Sequence, residues 1–221
     1  MKFNRTKTTY SLLGNLVPFL TGNEQRIRTL MGDFALQTRP EKLPNGNMVT
    51  DLLYNKNNLR IAFGAFRIDF EYTFATPACS VQAGFRAACD FFKLLGKHFE
   101  VKGARLALVS ALFTDNTEQA AVKHLSEHFC MAETFGECQE FNFRINTVRP
   151  YFETVNSVVD LRPGEAVNNG TGQKTPIMVA MLDINTVKEN TAHRFHPAEV
   201  EPLFFELLSE EQEKVRTLAG L

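Results

Sequence analysis

Four of the five histidines in this chain fall into two close pairs, and each pair suggests a different chemistry. His124 and His128 are four residues apart, so on a helix they project from one face. Cys130 and Cys138 follow, and imidazole and thiolate are the donors zinc favours. His124, His128, Cys130 and Cys138 are therefore a candidate metal set. The spacing is irregular and lacks a Cys-x2-Cys knuckle. The competing reading is two exposed histidines and two buried thiols, and no cofactor is expected on balance.

The second pair, His193 and His196, brackets Arg194 just ahead of Pro197. Two imidazoles and a guanidinium before a helix N-terminus make a candidate anion site, and histidine also suits acid–base work near neutral pH. Asp183, near the end of an apolar run, is the acid placed to join them at the mouth of a pocket. The competing reading is a polar loop in which one histidine caps a helix. Arg67, Asp69 and Glu71 share one strand face, where a carboxylate pair could act on a glycosidic bond; ion-paired surface side chains are the commoner outcome. The Gly170-Thr171-Gly172 segment before Lys174-Thr175 lacks the glycine spacing and following helix of a phosphate loop. No serine elbow, HExxH or dinucleotide fingerprint is present.

These residues have to be positioned by strands and amphipathic helices. Residues 48–54 and 59–74 alternate apolar and polar around Asn55-Lys56-Asn57-Asn58, and Asn tolerates the positive φ of a tight hairpin turn. In the second run the inward parity changes at Gly64-Ala65, which predicts a β-bulge. A helix is predicted over 81–99, with Phe85, Ala88, Phe92, Leu95 and Phe99 as its apolar stripe. A strand over 104–113 follows, and then a helix capped by Asp115 with Glu118 as its box partner.

Residues 139–148, 151–161 and 175–187 read as strands, and 162–174 as a loop rich in Gly and Pro. Pro197 opens a helix carrying Val200, Leu203, Phe204 and Leu207, and Ser209 with Gln212 opens a last short one. Near the N-terminus, the first 20 residues read as a short strand or arm. Asn23 caps a helix, and residues 39–46 form a loop. Hairpin-linked strands with interspersed helices predict an α+β fold: a two-layer antiparallel sheet with helices on one face. It is expected to be a single domain over 1–221, possibly two similar halves, roughly 1–132 and 133–221, sharing the sheet.

Composition bounds the rest. With 221 residues, 44% hydrophobic and 22% charged, the chain can bury a full core without staples. A formal net charge of −1 gives no general field for a phosphate backbone or an anionic membrane. No RNP-type motif accompanies the arginines, so nucleic acid is not an expected partner. Twenty Phe and no Trp predict a dry aromatic core or a Phe-lined pocket. No apolar run approaches the roughly 18 residues of a membrane span, and no signal peptide is read at the start. A cytoplasmic location with reduced thiols is the expectation.

Met181-Leu182-Asp183-Ile184-Asn185, the Leu203-Phe204-Phe205 helix with Leu208-Ser209-Glu210-Glu211, and Arg105-Leu106-Ala107-Leu108 resemble a sporadically distributed family of uncharacterised prokaryotic proteins. The resemblance implies a prokaryotic intracellular protein and assigns no residue a role. The sequence is read as a non-enzymatic binding or assembly protein, with a protein partner or a second copy of itself. The alternative is a small-ligand binder or enzyme with a Phe-lined pocket and His193, His196 and Asp183 at its mouth.

Overall fold

The structure is a computed structural model that describes residues 2–75, 79–117, 120, 122–123, 127, 142–151, 153–167 and 170–220. In chain order the elements are β1 (Phe3–Leu13), α1 (Val17–Leu30), β2 (Ala35–Lys42), β3 (Met48–Lys56), β4 (Leu59–Phe63), β5 (Arg67–Thr73), α2 (Val81–His98), β6 (Arg105–Thr117), β7 (Phe143–Pro150), β8 (Thr154–Val167), β9 (Lys174–Thr186), a 3-10 turn (Pro197–Glu199) and α3 (Glu201–Gly220), the helices numbered through the described residues. The strands form one sheet in the order β2-β3-β4-β5-β1-β6-β9-β8-β7. Every neighbouring pair is antiparallel, so the fold is α+β on an antiparallel sheet.

Alternation decides which side chains enter the core. The ladders place Tyr54, Ile61, Phe70, Tyr10, Leu108 and Ile184 opposite one another in a row running across six strands. All six are buried, in one cluster with Leu20 and Ile27 of α1, Phe85 and Phe92 of α2, and Phe204 and Leu207 of α3. Burying one such side chain contributes about 1.5–3 kcal/mol, so this row and the helices above it hold the domain together. Helix α2 forms where its stripe predicts. Ser80 accepts a hydrogen bond from the Ala83 amide at 3.1 Å, and Lys97 and His98 sit at the carbonyl end, where the helix dipole favours cations. The β3–β4 turn is the expected asparagine hairpin, with Asn57 at φ 51°.

Several expectations are corrected. The first residues are no arm: β1 lies mid-sheet between β5 and β6. Its sequence hides this because its inward positions include Thr8, whose partners are polar. Helix α1 starts at Val17, with Pro18 in its first turn, and not at Asn23. Residues 35–42, expected to end in a loop, form edge strand β2, where a proline is tolerated. Gly64-Ala65 is a turn and not a bulge. The chain reverses there, Phe63 pairs with Ile68, and the Gly64 amide donates to the Arg67 carbonyl at 2.9 Å. A reversal produces the same parity change as an inserted residue.

The 162–174 loop shrinks because β8 continues to Val167, with Pro163 opposite Met178. Asp115 falls within β6. Ser209 opens no helix: α3 is continuous to Gly220, and the Ser209 hydroxyl donates back to the Phe205 carbonyl at 2.8 Å.

Candidate functional site

Residues 190–196 cross the end of β6 on a short bridge in which Gly103 and Phe195 exchange backbone hydrogen bonds at 2.9 and 3.0 Å. Arg194 fastens this segment. Its Nε and Nη2 donate to the two carboxylate oxygens of Glu153 at 3.1 and 2.9 Å, and its Nη1 donates to the Ala104 carbonyl at 2.6 Å. The guanidinium also lies 4.2 Å from the Phe195 ring centre. A fork satisfied in this way is a clamp, and little of its charge is left for an anion.

Beside the clamp a groove of about 490 Å³ opens between the 3-10 turn and the start of α3. Its apolar wall is Phe195, Val200, Pro202 and Leu203, and its polar rim is Arg194, His196, Glu153, Glu199 and Glu206. The 3-10 turn is drawn close to α2 at Gly96, where an added Cβ would stand 2.5 Å from the Ala198 nitrogen. His196 caps that turn: its Nδ1 accepts from the Ala198 amide at 3.4 Å, and its Nε2 lies 4.0 Å from Glu100. Glu206 is half-buried, and one of its carboxylate oxygens, Oε2, is covered and has no hydrogen-bond partner among the described residues.

Of the residues singled out from sequence, the groove gathers Arg194 and His196. His193 is turned away, its Nδ1 2.9 Å from the Lys102 carbonyl oxygen. Asp183 does not line the groove either. It lies opposite Val109 and Val158, on the strand parity that α3 does not cover, and it accepts from the Asn185 amide at 2.9 Å. His124, His128, Cys130 and Cys138 lie outside the described residues. Among those described, no group of three or more His, Cys, Asp and Glu is arranged for a metal ion. Asp69 and Glu71 are held by Arg67 at 2.6 Å and Lys7 at 3.0 Å. The Asn58 amide donates to the Cys79 sulfur at 3.6 Å, and burial pushes the Cys89 thiol up to about 12, which disfavours the reactive thiolate.

Among the described Phe residues, Phe195 is the one that lines the groove. Phe91 and Phe92 meet edge to face within the core at 5.1 Å between ring centres, and Phe92 meets Phe204 at the same separation. The interior of the sheet's β2–β5 side is thus filled by rings in contact.

A second polar centre, invisible in the sequence, lies beneath α3. Glu210 and Glu211 are 1% and 0% exposed. Arg5 Nη2 donates to Glu211 Oε2 at 2.9 Å, and its Nη1 lies 2.8 Å from Oε1, without the alignment of a hydrogen bond. The same Nη1 donates to Ser110 at 2.9 Å and Thr8 at 3.1 Å. Glu210 accepts from Ser157 at 2.9 Å and from Tyr151, with Lys214 at 3.2 Å and Arg149 at 3.3 Å. Burial acts to raise the Glu210 carboxyl, but the donors from Tyr151, Ser157 and Lys214 outweigh it and hold it below the ordinary carboxylate range. Tyr151 is shifted up by burial and by that carboxylate.

Sequence reasoning missed Glu206, Glu210 and Glu211 because a run of acids on a helix reads as its wet face. The one available signal was the spacing of Leu207, Glu211, Lys214 and Leu218, which continues the apolar stripe. No protein-family model, no curated protein and no solved structure matches the chain, so the reading of its sites rests on their geometry.

Proposed function

We propose that this is a non-enzymatic binding and assembly protein of the prokaryotic cytoplasm, and that it pairs with a second copy of itself through the open face of its sheet. The observation that carries this reading is the parity of the central strands. One parity is buried with the helices. The other carries an apolar strip of Ala107, Val109, Ala111, Val158, Val179 and Met181 around Asp183; Val109, Ala111, Val179 and Met181 are half-buried, Ala107 and Val158 are buried, and none of the six belongs to the clusters under the helices. Antiparallel sheets often leave one face to water, and that face is normally polar.

Charged pairs flank the strip, Lys7 with Glu71 on one side and Arg144 with Asp160 on the other, and the Asp183 carboxylate within it is met by the Asn185 amide. The strip lies on three strands about 4.8 Å apart and runs over about five residues at about 3.4 Å, roughly 240 Å². It would form the apolar centre of the roughly 800 Å² per partner that a standard interface covers.

The finer architecture belongs to the same proposal. The helices form one layer on the sheet, and the chain consists of two similar halves. The supporting pattern is strand order: β1 is followed outward by β5, β4 and β3, and β6 by β9, β8 and β7, with α2 after β5 and α3 shortly after β9. On this reading each half contributes one central strand and the strands outward from it. No described helix is long and apolar enough to cross a membrane. Light scattering tests the assembly. The wild-type chain is expected to give a dimer mass at micromolar concentration, and Val109→Glu with Met181→Lys a monomer of unchanged thermal stability. A monomeric wild type ends the proposal.

A further inference from the structure

We propose that the groove beside Arg194 binds a small organic cation: an amine or guanidinium carried on an apolar stem, with its charged end at Glu206 and its stem on Phe195 and Leu203. Three features define that class. First, a volume of about 490 Å³ is of the size that holds a small ligand, and its wall of Phe195, Val200, Pro202 and Leu203 offers an apolar body a dry surface.

Second, the rim carries more negative charge than positive. Glu153, Glu199 and Glu206 face one guanidinium, and that group is already engaged by both Glu153 oxygens and by the Ala104 carbonyl. His196 is engaged in capping, its Nδ1 accepting from the Ala198 amide. The positive end of α3, which would otherwise draw an anion, is already answered by Glu199 and by Glu201, which pairs with Lys93.

Third, Glu206 is unfinished. Among the described residues its Oε2 is covered without a donor, and no Lys, Arg or His forms an ion pair with it. A carboxylate oxygen removed from water without a partner is costly. Its neighbours one turn away on α3, Pro202, Leu203, Ser209 and Glu210, supply no cation. A ligand ammonium supplies the missing donor, and the apolar wall shields the pair from competing water.

The inference does not depend on self-association, since the groove residues are separate from the strip on the open sheet face. The test is titration calorimetry with phenethylamine and hexylamine against their uncharged counterparts, phenethyl alcohol and hexanol, together with NMR of the Leu and Val methyl groups. The amines are expected to bind saturably and to shift the Val200 and Leu203 methyls, with the alcohols weaker by about tenfold or more, the ratio a charged hydrogen bond provides. Glu206→Gln is expected to lose amine binding by a similar factor while melting no lower than wild type, because it removes a half-buried charge that lacks a partner among the described residues. Glu165→Gln, on the distant β8–β9 hairpin, keeps it, and so does the Val109→Glu, Met181→Lys protein. Equal binding of amine and alcohol, amine binding that survives Glu206→Gln, or a marked destabilisation by Glu206→Gln would each overturn the proposal.

Discussion

On the β5 side of the central β1–β6 ladder, the covering helix brings rings to the interior. Phe85 of α2 meets Tyr10, and Phe91 stacks on Phe70 at 5.5 Å. On the β9 side, α3 begins in the same way, with Phe204 against Tyr10, and then changes its chemistry within two turns. Glu210, Glu211 and Lys214 occupy inward positions, answered by Arg5, Ser110, Ser157 and Tyr151 on or beside the strands. Ring packing is strong and tolerates small rotations. A buried ion pair contributes little net stability against an apolar replacement, but it is satisfied in only one geometry. The β5 side thus holds the domain together, and the β9 side sets the rotation and register of α3. That register also places Glu206 at the groove one turn earlier.

The largest effect is expected where rings meet. Phe92→Ala leaves a cavity between α2 and α3 and should cost about 3–5 kcal/mol in urea unfolding. A cost below about 1 kcal/mol would mean the interior collapses easily and the contrast is lost. Next is Arg5→Met, which strands Glu211 and should cost about 3 kcal/mol, whereas Arg5→Met with Glu211→Leu should recover most of the loss. If the double variant is as unstable as the single one, the ion pair is itself a main source of stability.

Acid comes third. The folded Glu210 carboxyl sits below its unfolded value of about 4.3. Its contribution is therefore complete above that unfolded value and is lost as pH falls through the lower folded one, because the unfolded chain takes up its proton first. Unfolding free energy measured from pH 6 downward should fall less steeply in Glu210→Gln than in wild type; parallel curves would place the acid sensitivity elsewhere. The smallest effect is Ser209→Ala, expected within about 0.5 kcal/mol of wild type because the hydroxyl only bonds back within a continuous helix. A loss of about 1 kcal/mol is what a true N-cap would give.

The parts legible in the sequence were those where pattern and burial agree. Helix α2 carries an unbroken stripe and a serine cap, and the Asn57 turn has the one residue type besides glycine that readily accepts its backbone angle. The parts that were not legible are places where polar residues point inward. Thr8 and Ser110 in the central ladder, 3.0 Å apart, made β1 look like surface. The buried acids of α3 made one helix look like two. The β4–β5 turn was misread for a different reason: alternation records which face a residue takes, not whether the chain has reversed. At the groove, Arg194 and His196 were found by residue type. Glu206 was not, because a missing partner is a property of the folded chain alone.

The place of β1 has a consequence during synthesis. β1 ends up mid-sheet, and its second neighbour, β6, leaves the ribosome about a hundred residues after it. A nascent chain that has made everything through α2 therefore carries a β1 with one bare flank, the kind of edge to which another chain can add. Arg5 and Lys7 in that strand are the charges that discourage such addition until β6 arrives. Arg5 then turns from guarding an edge to meeting Glu211 of α3, which is made later than β6.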